Sequence, residues 1–132
     1  MKLAPGTMPQ LTSSLVLEVF DMPVTFHRCL VRVTGSVTAA LMLSQAMAWT
    51  DVLVPEVEGW FCKCQSEWTE ETGLTRWEQE TARRVLRERA LLEERVEGMP
   101  ARLWFRVNRQ QLSMALTNWS QRQAKPKRSP LT

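Results

Sequence analysis

Apolar and polar positions repeat along this chain with two different periods, and each period predicts a different kind of element. The longest charge-free run extends from Val33 to Thr50, and its polar side chains make it too polar to span a bilayer. Within it, Ser36 can cap a helix whose only polar face is narrow, at Ser44 and Gln45. We therefore predict a buried core helix at residues 37 to 49.

The residues before this helix carry weaker patterns. Met1 to Ser14 contains two prolines, a glycine and little periodicity, which predicts a flexible lead-in. Leu15 to Phe20, LVLEVF, is either a strand or a stub that packs on a partner. In TFHRCLVRVTGS, from Thr25 to Ser36, apolar and polar residues alternate, which predicts a strand or extended arm, although the start of a helix also fits.

A helix-turn-helix pattern follows an acidic loop at residues 51–58. Ser66 begins a helix with Glu67 in its first turn, and Gly73 supplies the positive φ needed for a tight turn after Thr72. Thr75 then caps a second helix, Arg76 to Ala90, with Glu78 three residues later completing a capping box. We expect two helices joined by a short turn.

The second helix of this pair has one apolar side and one basic side. The apolar side consists of Ala82, Val85, Leu86 and the stem of Arg89, and the other side of Arg76, Glu80, Arg83, Arg84 and Arg87. Such a division suits insertion into a DNA major groove. It also suits a solvated surface helix, because Glu80 can pair with arginines three or four residues away.

The C-terminal third predicts a hairpin and a last helix. Strands at residues 91–97 and 102–107 join at a tip from Glu97 to Ala101, and a short strand at Gly59 to Cys64 is expected to pair with them. Asn108 can cap a helix ending at Trp119, with an apolar stripe at Leu112, Ala115 or Leu116, and Trp119. The predicted fold is α+β: a winged helix-turn-helix with a three-helix core, a small antiparallel β-wing and an extra C-terminal helix. The domain would span residues 15–120, with a disordered basic tail at 121–132.

The charge balance changes this picture modestly. The formal net charge is +3 and the pI is about 9.1, and arginine far outnumbers lysine among the 17 cations. Guanidinium groups make bidentate contacts with phosphate and guanine, which favours a nucleic-acid partner. GC-rich coding also produces an arginine bias.

Few catalytic chemistries fit the residues present. The chain has no tyrosine and a single histidine, which excludes tyrosine-dependent nicking and recombination and histidine-rich metal catalysis. No glycine-rich phosphate-binding loop occurs either. Two pairs of residues, His27 with Cys29 and Cys62 with Cys64, together provide four possible zinc ligands. Zinc sites favour wider spacing, however, and free cysteines are common in cores. We therefore expect no enzyme activity, no cofactor and no metal.

The segment GLTRWEQETARRVLRERALLEERVEGMPARLWFRVN, with the pieces upstream of it, resembles the winged helix-turn-helix proteins encoded by prophages and plasmids, related to the N-terminal domains of DnaD-type replication initiators. The resemblance covers residues 23 to 112. It implies duplex DNA binding in mobile-element replication or in transcriptional control. The residues outside this range are too few for the second domain through which full-length initiators engage their partners, so we expect this chain to lack that domain.

The pattern and the resemblance together give a set of expected DNA contacts. They are Thr75, Arg76, Trp77, Gln79, Glu80, Arg83, Arg84, Arg87, Arg95 and Arg102. Trp77 can contact DNA or pack beside Trp68, and burial is the more common fate of an aromatic side chain. The alternative function is a protein-interaction module, which would dimerise or recruit a replication protein through Leu15 to Phe20 and the last helix. We expect a cytoplasmic protein with no membrane partner, because no apolar leader precedes the cysteines.

Overall fold

The computed structural model describes residues 12–14, 23–52 and 58–123, with the backbone alone for residues 51 and 52. The expectations for the lead-in at residues 1–11, for Leu15 to Phe20 and for the tail from residue 124 lie outside the described residues, as do residues 53–57 of the acidic loop predicted at 51–58. Residues 51 and 52 belong to a helix, so the start of that loop was predicted wrongly. The described residues form α1 (Cys29–Thr34), α2 (Val37–Val52), β1 (Phe61–Cys62), α3 (Gln65–Thr72), α4 (Arg76–Glu88), β2 (Leu92–Glu97), β3 (Arg102–Val107) and α5 (Arg109–Gln123).

Helix α2 lies at the centre of the fold, as its apolar pattern predicts. Its inward residues, including Met42 and Leu43, are fully buried, and it contacts α1, α3, α4 and β3. Ser36 Oγ accepts a hydrogen bond from the Ala39 amide at 3.2 Å, so the predicted cap is confirmed. The buried Ser44 hydroxyl donates to the Ala40 carbonyl at 2.8 Å, which satisfies the one polar group on this face.

Helix α1 replaces the strand or arm that period-two alternation predicted, and that prediction was wrong. Leu30, Val33 and Thr34 are buried at positions i, i+3 and i+4, which is helical spacing. Gly35 ends the helix with φ of 74°. Over six residues both periods fit the same sequence, and packing against α2 selects the helix.

The three strands form an antiparallel sheet in the order β1-β3-β2. The predicted pairing of an upstream strand with the hairpin is confirmed, although β1 has only two residues, Phe61 and Cys62, instead of the expected six. The register pairs Leu92 with Val107 and Glu94 with Phe105, so these residues share the inner face. The architecture is therefore α+β with a small antiparallel sheet, compatible with a winged helix.

The core joins the inner sheet face to the helices through an aromatic cluster. The rings of Phe61, Trp68 and Phe105 lie 5.4 to 6.0 Å apart, and Trp49 stacks 6.2 Å from Phe61. Helix α5 starts directly after β3, with the Asn108 side chain accepting from the Gln111 amide at 3.1 Å, and it continues to Gln123 rather than ending at Trp119. None of the helices in the described part of the chain has the length and apolar character to cross a bilayer.

Candidate nucleic-acid interface

The turn between α3 and α4 fixes where the N-terminal end of α4 lies. Gly73 has φ of 77°, and its amide donates to the Thr69 carbonyl at 2.8 Å, closing the last turn of α3. Thr75 Oγ1 accepts from the Glu78 amide at 3.3 Å, while the Glu78 carboxylate accepts from the Thr75 amide at 3.0 Å. The predicted capping box is thus confirmed. Hydrogen bonding of the Glu78 carboxylate to Thr75, first to its backbone amide and then to its side chain, lowers the pKa of Glu78.

The first helix of the pair begins at Gln65, one residue before the Ser66 start that the sequence predicted, and Cys64 occupies its cap position. The Glu67 carboxylate accepts from the Cys64 amide at 3.1 Å, and this bond lowers the pKa of Glu67.

Gln79 lies inside the turn rather than on the outer surface of α4. It is 4% exposed, and its amide nitrogen donates to the Gln65 carbonyl, the Thr69 hydroxyl and the Leu74 carbonyl at 2.9 to 3.1 Å. The side chain that was expected to contact DNA therefore holds α3, the turn and α4 together.

Trp77 is 74% exposed, so the prediction that it packs near the buried Trp68 was wrong. At about 100° per residue, position 77 lies roughly 200° around the helix from the inward Gln79, which directs its ring to solvent. The Arg76 guanidinium lies 6.0 Å from the Trp77 ring and pairs with Glu80 at 3.3 Å. Arg84 is also exposed and has no ion-pair partner among the residues that the structure describes. The exposed surface of α4 therefore carries one indole ring, from Trp77, and two guanidinium groups, from Arg76 and Arg84.

Arg83 and Arg87 do not stand free in solvent. Arg83 donates through Nε at 3.1 Å and through Nη2 to Glu94 on β2, and Arg87 Nη1 lies 3.6 Å from the same carboxylate. Sequence reasoning missed Glu94. A signal was available, because Leu92, Glu94 and Val96 share one face of a predicted strand and an acid there points at the helix side of the sheet.

The tip of the hairpin, at residues 98–101, is exposed. Met99 is fully exposed at this tip, and Val96 near it is largely exposed. Arg95 and Arg106 lie on the outer face of the sheet, where their guanidinium groups enclose Trp60 at 4.2 and 4.6 Å from its ring. Arg95 pairs with Glu97 at 3.3 Å and Arg106 with Glu93 at 2.7 Å.

A groove of about 570 Å³ separates α3 and α4 from β3. It brings together half of the residues expected to contact DNA, namely Arg76, Gln79, Glu80, Arg83 and Arg102. Thr75 and Trp77 lie at the start of α4 next to Arg76, whereas Arg84 and Arg87 lie about two to three turns further along the helix. Arg95 lies apart from this group on the outer sheet face.

The structure does not bring together the four residues considered as possible zinc ligands. Cys29, Cys62 and Cys64 are free thiols, and within the described ranges no three histidine, cysteine or acidic side chains are placed to share a metal ion. Cys62 lies on β1 and Cys64 precedes α3, while His27 and Cys29 belong to the α1 region.

Comparisons with models of protein families, with curated proteins and with solved structures gave no match to this chain.

Proposed function

We propose that this chain is a winged helix-turn-helix protein that binds duplex DNA without catalysing a reaction. The observation that carries the proposal is the exposed group of Arg76, Trp77 and Arg84 on a capped helix that lies beside a hairpin with an exposed tip. An α-helix with its side chains is about 10 to 12 Å across and the major groove is about 12 Å wide, so the 13 residues of α4 can lie in the groove.

Each group has a distinct task in this arrangement. Arg76 and Arg84 would bind phosphates or guanine edges, and the Trp77 ring would contact a thymine methyl group or a sugar. The hairpin tip and Arg102 would follow the adjacent backbone. The resemblance described above favours replication or transcriptional control of a mobile element as the setting for this binding.

The proposal is tested by removing charge from the exposed face of α4. We expect the Arg76→Gln, Arg84→Gln double variant to bind a duplex at least tenfold more weakly at about 0.1 M salt. The slope of log affinity against log salt concentration should also be shallower, by the equivalent of about two phosphate contacts. The matched control is Arg122→Gln, because Arg122 is an exposed arginine on α5. Fluorescence anisotropy at several salt concentrations measures both quantities. Equal binding by the double variant and the wild type contradicts the proposal.

A protein-interaction module is the second candidate, and one feature of α5 favours it. The stripe predicted on this helix borders a groove of about 520 Å³ between α2 and α5, lined by Met47, Leu112 and Leu116 among others. In this second candidate, the groove is the surface through which two copies of the chain associate. Sedimentation that shows a dimer lost in Leu116→Asp, together with no duplex binding, would favour this candidate over DNA binding.

A further inference from the structure

Glu94 occupies an unusual position for a carboxylate. It lies on the inner face of β2, paired with the buried Phe105, and its side chain is only 9% exposed. Two arginines from successive turns of α4 meet it there, while Glu93 and Glu97 point to the opposite face of the sheet. One buried acid therefore connects the helix that we propose binds DNA to the hairpin beside it.

The two oxygens of Glu94 are used differently. Oε1 accepts both hydrogen bonds from Arg83, whose side chain is 26% exposed and whose guanidinium lies 5.8 Å from the Phe105 ring. Oε2 is buried and has no hydrogen-bond partner among the described residues, and Arg87 Nη1 lies 3.6 Å from it. Arg83 is thus fixed between helix and sheet, whereas Arg87, 53% exposed, is held by Coulomb attraction alone.

The position of Arg87 has a consequence for any polyanion that approaches α4. A phosphate must compete with the Glu94 carboxylate for this guanidinium, and the buried carboxylate is poorly screened by salt. Arg84, one turn earlier, meets no such competitor in the described part of the chain. Neighbouring arginines on one helix therefore differ in how freely they can bind an anion.

We propose that Glu94 limits the phosphate affinity of this surface by competing for Arg87, while it holds the hairpin against α4 through Arg83. This inference rests on the proposed function. It assigns to Glu94 the control of phosphate affinity, which is the sequence-independent part of the proposed DNA binding. Weak backbone binding favours specificity, because contacts with phosphate carry no sequence information.

The test compares two isosteric variants on adjacent residues of one strand. Glu94→Gln removes the competitor, and Glu93→Gln makes the same charge change but releases Arg106 on the outer face. We expect Glu94→Gln to bind a random-sequence duplex on the order of fivefold more tightly than Glu93→Gln at about 0.1 M salt, with a salt slope steeper by about one contact. Equal or weaker binding by Glu94→Gln overturns the inference.

A second comparison begins with two variants that leave Glu94 in place, so its first measurement does not depend on how well Glu94→Gln folds. In the otherwise wild-type chain, Arg84→Gln should weaken duplex binding several times more than Arg87→Gln, because Arg87 is already partly neutralised. In the Glu94→Gln background, the loss caused by Arg87→Gln should grow severalfold. Two results contradict the inference. One is an equal loss of duplex affinity in Arg84→Gln and Arg87→Gln, and the other is an affinity loss from Arg87→Gln that is the same with and without Glu94→Gln.

Heparin chromatography separates failure of this inference from failure of the proposed function. If the wild type does not bind duplex, DNA binding is rejected, yet the salt concentration that elutes each variant from heparin still reports the anion affinity of α4. We expect Glu94→Gln to elute at higher salt than Glu93→Gln. Co-elution rejects the role of Glu94 regardless of the result with DNA.

Discussion

At the scale of single residues, the least expected feature is the buried ammonium group of Lys63. Its side chain is 1% exposed, lies 4.0 Å from the Trp49 ring, and donates to the Glu71 carboxylate. Gln45 and Trp49 also donate to Glu71, each at 2.6 Å. A lysine this deeply buried requires its counter-charge, because an unpaired ammonium in the core is costly.

We expect Glu71→Gln to lower the free energy of unfolding by about 3 kcal/mol, since it leaves the Lys63 charge buried and unneutralised. The neighbouring Glu70 is exposed, so Glu70→Gln is a matched control that should change stability by less than about 0.5 kcal/mol. Urea unfolding followed by tryptophan fluorescence measures both. Similar stabilities for the two variants would contradict the structural role of the pair.

The same carboxylate makes stability depend on pH. Burial raises the pKa of Glu71, but the hydrogen bonds from Lys63, Trp49 and Gln45 outweigh it and leave the pKa below the ordinary value of 4.5. Its stabilising contribution is therefore fully present above pH 4.5 and is lost as the pH falls through the lowered pKa. The unfolding free energy of Glu71→Gln should fall less steeply than that of the wild type below pH 4.5, which acid titration of the urea midpoint can measure.

Residue-scale contacts were the part least predictable from sequence. The position of Glu94 on an inward strand face could have been recognised from alternation, but its two arginine partners depend on how α4 crosses the sheet. Lys63 shares its face with Phe61 by the same alternation, yet a lysine in a short strand is usually exposed. The exposure of Trp77 follows from its place on the helical wheel, which outweighs the general tendency of indoles to be buried.

At the scale of elements, the turn between α3 and α4 depends on Gln79 as much as on Gly73. The side-chain amide nitrogen of Gln79 donates to three acceptors from α3 and the turn. The capping residues and the turn glycine were predictable, because their effects involve only residues a few positions away in the chain. The inward orientation of Gln79 was not, because it depends on acceptors as distant as Gln65, 14 positions earlier in the chain.

We expect Gln79→Leu to lower the free energy of unfolding by about 1 to 2 kcal/mol, because it removes the donor from three acceptors in the turn. Gln110→Leu is the control, since Gln110 is exposed on α5 and the same substitution there should have little effect. Thermal unfolding followed by circular dichroism compares them. A Gln79→Leu protein as stable as the wild type would show that the amide does not hold the turn.

Helix α1 shows why short elements are hard to predict. Its buried positions, Leu30, Val33 and Thr34, fit a helix, while the alternation of its neighbours fits a strand. A strand at this place would need a sheet edge to pair with, whereas a helix can satisfy its own backbone and pack on α2. The choice is therefore made by tertiary packing, which the local pattern does not contain.

At the scale of the whole molecule, the order of elements was largely predictable. The core helix, the paired helices, the hairpin and the third strand all occur in the expected sequence, and together they place the exposed end of α4 beside the hairpin. The charge on this surface was predicted less well. Arg83 and Arg87 were expected to face solvent, and a carboxylate from another element neutralises part of their charge.

The most direct test is to titrate the ¹⁵N-labelled chain with a duplex and to follow the side-chain N–H signals of tryptophan and arginine by NMR. Binding through α4 predicts that the Trp77 indole and the Arg76 and Arg84 Nε–H signals shift, while those of Trp119 and Arg122 on α5 do not. Shifts confined to α5, or no shifts at all under low-salt conditions, would contradict DNA binding by this surface.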